Sequence, residues 1–215
     1  MSGRTLEASR RWMDAGTDLF SAALERAVDD LSRPSSLPRW TRAHVVAHVS
    51  ANADAIGNLV TWASSGDPTP MYASTEERDA AIERGANLRP SELVDWYHTG
   101  ADNLCAAMDR LTAEHWSAEV VTAQGRTVPA SETPWMRARE VMVHVVDLDV
   151  GVSFDNLPLD AIEALHGDII HRRGIAQVPV LRGPFPQVVA HLAGRTSRGV
   201  TDASGEPAAP MTPWL

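Results

Sequence analysis

The chain has no lysine: all 19 of its basic residues, among 215, are arginine. Without that amine there is no Schiff-base chemistry and no Walker-type phosphate loop, since both depend on it. So complete an avoidance also fits the coding bias of a high-GC genome. Cysteine is almost as scarce. The lone Cys105 excludes an internal disulfide, a CxxC redox pair and a cysteine-rich zinc site, and its helical setting reads as core filling. Apolar runs fall far short of the roughly 20 residues of a membrane span. The N-terminus reads as a charged helix rather than a signal peptide. The net charge of -9 argues against the basic footprint of a nucleic-acid binder. These absences predict a cytoplasmic protein without nucleic-acid or membrane partners; a monomer or weak homo-oligomer is the accompanying expectation.

What is present is a core. Hydrophobic residues make up 44% of the chain, enough to fold rather than remain disordered. Helical periodicity runs through Leu6, Trp12, Met13, Leu19, Phe20, Leu24 and Leu31. It stops at the Pro- and Ser-rich stretch Ser32–Pro38. A second helix opens after Thr41, a plausible N-cap, and ends at Gly66-Asp-Pro. A short helix is predicted over Thr75–Gly85 and another from Pro90 to about Arg110. A hairpin or extended loop is expected around Gln124-Gly125. Pro134 then opens a helix over Thr133–Val150. After Gly151 the pattern changes: a helix near Leu159–Arg172, a candidate strand Val178–Arg182, and a short helix Gln187–Ala193. The prediction is a mainly α protein. Residues 1–153 form an antiparallel four-helix bundle, and residues 154–215 a small α/β domain too short to fold alone with much margin.

Three polar residues stand inside the apolar stripe of Thr133–Val150: Glu140, His144 and Asp147. Glu140 and His144 are four apart and share a helix face. In the second helix His44 and His48 are also four apart, with His48 in its most apolar part. Paired N/O side chains on facing bundle helices are how metal sites are built in such cores. Two imidazoles and a carboxylate with one position open suit catalytic zinc, and the same set holds Fe(II) in facial triads. Spacing leaves a plainer alternative, in which the histidines are satisfied core residues and Glu140 pairs with Arg137 or Arg139. Ser131 lacks a nucleophile-elbow context. The turn Gly194-Arg195-Thr-Ser-Arg198-Gly199 carries two guanidinium groups, fit for a carboxylate or simply solvated.

Certain stretches of this sequence resemble a known family. They are Trp40-Thr-Arg-Ala-His-Val-Val-Ala-His48, Asn58-Leu-Val-Thr-Trp62 with Gly66-Asp-Pro-Thr-Pro-Met-Tyr72, and above all Thr122 to Leu148. On these the chain is identified as a member of the mycothiol-dependent maleylpyruvate isomerases, within the DinB-like four-helix-bundle superfamily. The resemblance implies a divalent metal, typically zinc, held by His48, Glu140 and His144. It implies mycothiol as an external thiol cofactor, a small anionic substrate, and Arg195 as a catalytic arginine in the C-terminal domain. Asp147 and His44 are expected beside the ligands, Asp147 orienting one of them. The implied reaction is thiolate addition to the cis double bond of maleylpyruvate, rotation, and elimination to fumarylpyruvate. The chain departs from the family in a C-terminal domain that reads as shortened. That leaves room for a metal-dependent thiol S-transferase or a biosynthetic isomerase on another substrate, and, in a different class, for a non-catalytic metal- or ligand-binding bundle.

Overall fold

Each long helix begins where the sequence supplies a cap. The structure is a computed structural model and describes residues 4–215. Helix α1 (Leu6–Ala27) starts at Thr5, whose hydroxyl accepts from the Ala8 amide at 3.0 Å. Helix α2 (Arg42–Ser65) starts at Thr41 and ends at Gly66 in the left-handed region, whose amide donates to the Trp62 carbonyl. Helix α3 (Thr75–Ala86) is capped by Ser74, and α4 (Pro90–Asp109) and α6 (Thr133–Asp147) carry proline in their first turns. A five-residue helix α5 (Ala113–Ser117) precedes the two-stranded antiparallel hairpin β1 (Glu119–Val121) and β2 (Thr127–Pro129), with Val120 opposite Val128.

The chain divides into two compact units, Thr5–Val150 and Gly151–Leu215. In the first, contacts fix the helix directions. Trp12 meets Trp135 edge-on at 5.7 Å and Gly16 abuts Val141, so α1 and α6 run parallel. Arg10 pairs with Asp109 while Phe20 stacks on Tyr97, so α1 and α4 run antiparallel. His48 meets Glu140, and Val49 meets Arg137, so α2 and α6 are antiparallel too. It follows that α2 and α4 point the same way. The chain must cross the bundle between them, and residues 66–89, with α3, make that crossing. At Gly16 α1 packs tightly on α6: a Cβ there would lie 2.6 Å from Val141 Cγ2. Trp12, Phe20, Tyr97, Trp135 and Met142 fill the interior.

In the second unit, α7 (Leu159–Arg173) and α8 (Phe185–Leu192) pack through Ile162, Leu165, Ile169, Val189 and Leu192. The strand expected at Val178–Arg182 is reduced to one antiparallel bridge, Arg182 to Thr201, and Thr201 also bridges Pro207. Pro179 lacks the amide a ladder needs, and Gly183-Pro184 ends the segment. No helix among the described residues is long and apolar enough to cross a membrane.

Candidate metal centre

His48, two turns into α2, faces Glu140 and His144 on α6, because the antiparallel pairing brings the apolar stripes of the two helices together. The three side chains offer ligand atoms within 4.8 Å of one another. His48 Nε2 lies 3.1 Å from Glu140 Oε2, and His144 Nε2 lies 3.4 Å from the same oxygen. The two imidazoles stand edge to face with centroids 4.6 Å apart. His144 is 3% exposed and His48 7%, so this is an interior polar cluster.

The cluster fits a metal on two grounds. His144 Nε2 is buried with no hydrogen-bond partner, an orphaned atom where natural interiors rarely leave one. The donor set is two neutral nitrogens and one carboxylate, and ligand atoms on a zinc with bonds of about 2.1 Å stand roughly 3.4 Å apart in tetrahedral geometry.

Burial and pairing pull the charges in opposite directions. Burial alone would raise the Glu140 pKa, but the adjacent imidazoles of His144 and His48 hold it well below the usual carboxylate range. Burial pushes His48 down, against the pull of Glu140. His144 is driven down by burial too, but its hydrogen bond to Asp147 and the nearby Glu140 carboxylate prevail and raise it. Asp147 is fully buried, and its Oδ2 lies 2.8 Å from His144 Nδ1. Its Oδ1 accepts from Ser36 Oγ at 2.9 Å, and its backbone carbonyl from the Ser36 amide at 3.0 Å. Asp147 thus fixes the ring so that Nε2 points at Glu140, the arrangement by which carboxylates orient metal-binding imidazoles.

Two other expected residues make contacts of their own. His44 Nδ1 lies 2.7 Å from Thr41 Oγ1 and 3.2 Å from the Thr41 amide, so it caps its own helix. Its Nε2 approaches Glu83 at 3.5 Å rather than the cluster. Arg195 is buried in the C-terminal unit, where Nη1 donates to the Ala193 carbonyl at 2.9 Å and Nη2 to the Leu215 carbonyl at 3.3 Å.

The crossover supplies one residue, Arg78, that sequence reasoning did not single out. A cavity of about 570 Å³ is lined by Trp62, Met71, Tyr72, Arg78, Thr122 and Gly125, among others. Arg78 connects it to the cluster: its Nη2 lies 3.5 Å from His48 Nδ1, and its Nη1 pairs with Asp79 at 2.8 Å. Tyr72 is pushed up to about 12 by burial and by the Glu140 charge, so its hydroxyl keeps its proton at neutral pH. Trp62, Met71, Tyr72, Thr122 and Gly125 all fall in the stretches that carry the family resemblance. Arg78 sits in an ordinary charged helix outside them.

With the site described, the comparisons are decisive. The profile of the mycothiol maleylpyruvate isomerase N-terminal domain matches residues 4–149. The crystal structure of a mycothiol-dependent maleylpyruvate isomerase superposes with a TM-score of 0.90 at 34% identity, covering 97% of each chain. The chain belongs to the mycothiol-dependent maleylpyruvate isomerase family. It is an enzyme of that type, and mycothiol dependence comes with the family. A histidine-to-alanine mutant of such an isomerase superposes at a TM-score of 0.89, again at 34% identity and 97% of each chain. Because coverage extends past the bundle, the C-terminal unit too has a counterpart in these isomerases. No curated protein matches the chain.

Proposed function

We propose that this enzyme isomerises maleylpyruvate to fumarylpyruvate, using mycothiol and a divalent metal, most suitably zinc, in the cytoplasm. The observation that carries the reading is the buried His48–Glu140–His144 cluster joined by Arg78 to a cavity of about 570 Å³. When bound, metal and thiol together supply a thiolate near neutral pH, whose reversible addition to a cis double bond frees that bond to rotate.

The remaining work falls to the chain. His48, Glu140 and His144 would hold the metal, and Asp147, steadied by Ser36, would keep His144 aimed at it. Arg78, on the cavity wall, receives a carboxylate of the dianionic substrate through its forked donors. Tyr72, still protonated, donates a hydrogen bond to a carbonyl or enolate oxygen. Trp62, Met71 and the hairpin residue Val121 exclude water from the reacting carbon atoms. Arg195 remains a second candidate for anion contact. Its guanidinium is bonded to the Ala193 and Leu215 carbonyls, as Arg78 Nη1 is to Asp79, and Arg78 is placed first because it lines the cavity.

The test is turnover of maleylpyruvate by zinc-loaded enzyme, with and without mycothiol. Fumarylpyruvate formation that requires the thiol is the expected result. Stable thiol adducts with other electrophiles, and no isomerisation, would replace this reading with an S-transferase. Arg78→Ala is expected to raise KM well above any effect of Arg195→Ala; the reverse order would move the anion contact to the C-terminal unit.

A further inference from the structure

Arg137 is buried to 1% exposure inside the bundle. Its Nη1 donates to the Val49 carbonyl at 2.6 Å and to Asn52 Oδ1 at 3.0 Å, both on α2. Its Nη2 has no partner, and no carboxylate among the described residues comes within ion-pairing distance of it. A guanidinium buried without a counter-ion is an expensive way to fill space. An apolar side chain of similar volume would serve stability better.

Position accounts for it. On α6, Arg137 lies one turn before Glu140; on α2, its acceptors Val49 and Asn52 lie beside and one turn after His48. At the other end of the same helix pair, Arg42 of α2 donates from Nε to the Leu148 carbonyl at 2.8 Å and from Nη2 to the Asp149 carbonyl at 2.7 Å. Arg42 has an ordinary explanation, because it satisfies carbonyls left free at a helix end. Arg137 does not: Val49 is in mid-helix, where the carbonyl already has an intrahelical partner. All three cluster residues fall between these two cross-links. A single buried polar residue at a helix interface is a known means of fixing register.

We propose that Arg137 is a positioning residue for the metal centre, a buried cross-link that sets the α2–α6 register so that His48 meets Glu140 and His144. The proposal rests on the metal reading above. A register step is about 1.5 Å per residue, well beyond the roughly 0.5 Å within which a metal–ligand set has to be held. Losing the cross-link therefore acts on affinity and ligand geometry before it acts on folding.

The test compares Arg137→Met, Arg137→Lys and Asn52→Ala with the wild type, by zinc affinity from chelator competition and by the visible spectrum of the cobalt-substituted protein. Arg137→Met is expected to weaken zinc binding by roughly 10–100-fold, the range for residues supporting metal ligands, and to alter the cobalt bands while helical content is kept. Arg137→Lys, which retains a donor and the charge, is expected to recover part of the affinity. Should Arg137→Met fail to fold, Asn52→Ala removes one acceptor only, and a smaller loss with a shifted cobalt spectrum is expected. Unchanged affinity and an unchanged spectrum in the folded variants overturn the proposal. A wild type that binds no zinc overturns the metal reading instead.

Discussion

Replacing Asp147 isolates the part of the centre that touches no substrate. Its carboxylate is fully buried and lies 2.8 Å from His144 Nδ1. A hydrogen bond to a charged group of this kind contributes about 1.5–3 kcal/mol, which corresponds to roughly 10–100-fold in metal affinity. Asp147→Asn keeps an acceptor oxygen and belongs at the low end of that range; Asp147→Ala, which leaves Nδ1 without a buried partner, belongs at the high end. Proton competition has to be separated from orientation. Asp147 helps to raise the His144 pKa above 6.5, so protons displace metal from the wild type as pH falls through that raised value. In Asp147→Asn the support is weaker and the displacement begins at lower pH. Chelator competition at about pH 8, above the ordinary histidine range, therefore reads orientation alone. Toward about pH 6 the wild-type and variant curves should converge. Equal affinity at the higher pH, in variants of native helical content, would refute the orienting role. Ser36→Ala, which removes the 2.9 Å support of Asp147 Oδ1, should give the same change in smaller measure.

Three further outcomes follow from the same geometry. Gly16→Ala places a Cβ 2.6 Å from the stiff, buried Val141 Cγ2, so overpacking of about 1–3 kcal/mol should exceed the roughly 1 kcal/mol gain in helix propensity and lower the denaturation midpoint. Tyr72 has its folded pKa raised from 10.0 to about 12, so above pH 10 the unfolded chain ionises first and stability falls as pH rises. Tyr72→Phe should remove that part of the alkaline loss and the matching late step in an ultraviolet titration. Arg78→Ala should raise KM for a dianionic substrate more than it lowers kcat, since Arg78 meets a group that is charged throughout the reaction.

Much of this protein was legible in its residues because local chemistry and tertiary structure agree. Thr5, Thr41, Pro90 and Pro134 start helices, and Gly66 and Gly125 mark a helix end and a hairpin turn, all through backbone preferences that need no tertiary context. The cluster was also indicated, since His48, Glu140 and His144 interrupt apolar stripes at helical spacing. What escaped was short or brought in from afar. Five residues of α5 are too few to show a period. Arg78 reaches the cavity only because α2 and α4 point the same way and force a crossover past the cluster. Spacing allows Arg137 as a partner for Glu140, but the pairing it makes is with α2, which depends on helix register and not on sequence distance.

Metal content tests the central claim most directly. Protein purified under conditions that retain bound ions should carry about one equivalent of divalent metal, and His48→Ala should lose it while remaining helical, because two ligands do not make a closed set. A wild type free of metal after zinc reconstitution, or a His48→Ala variant that binds as tightly as the wild type, would contradict the account.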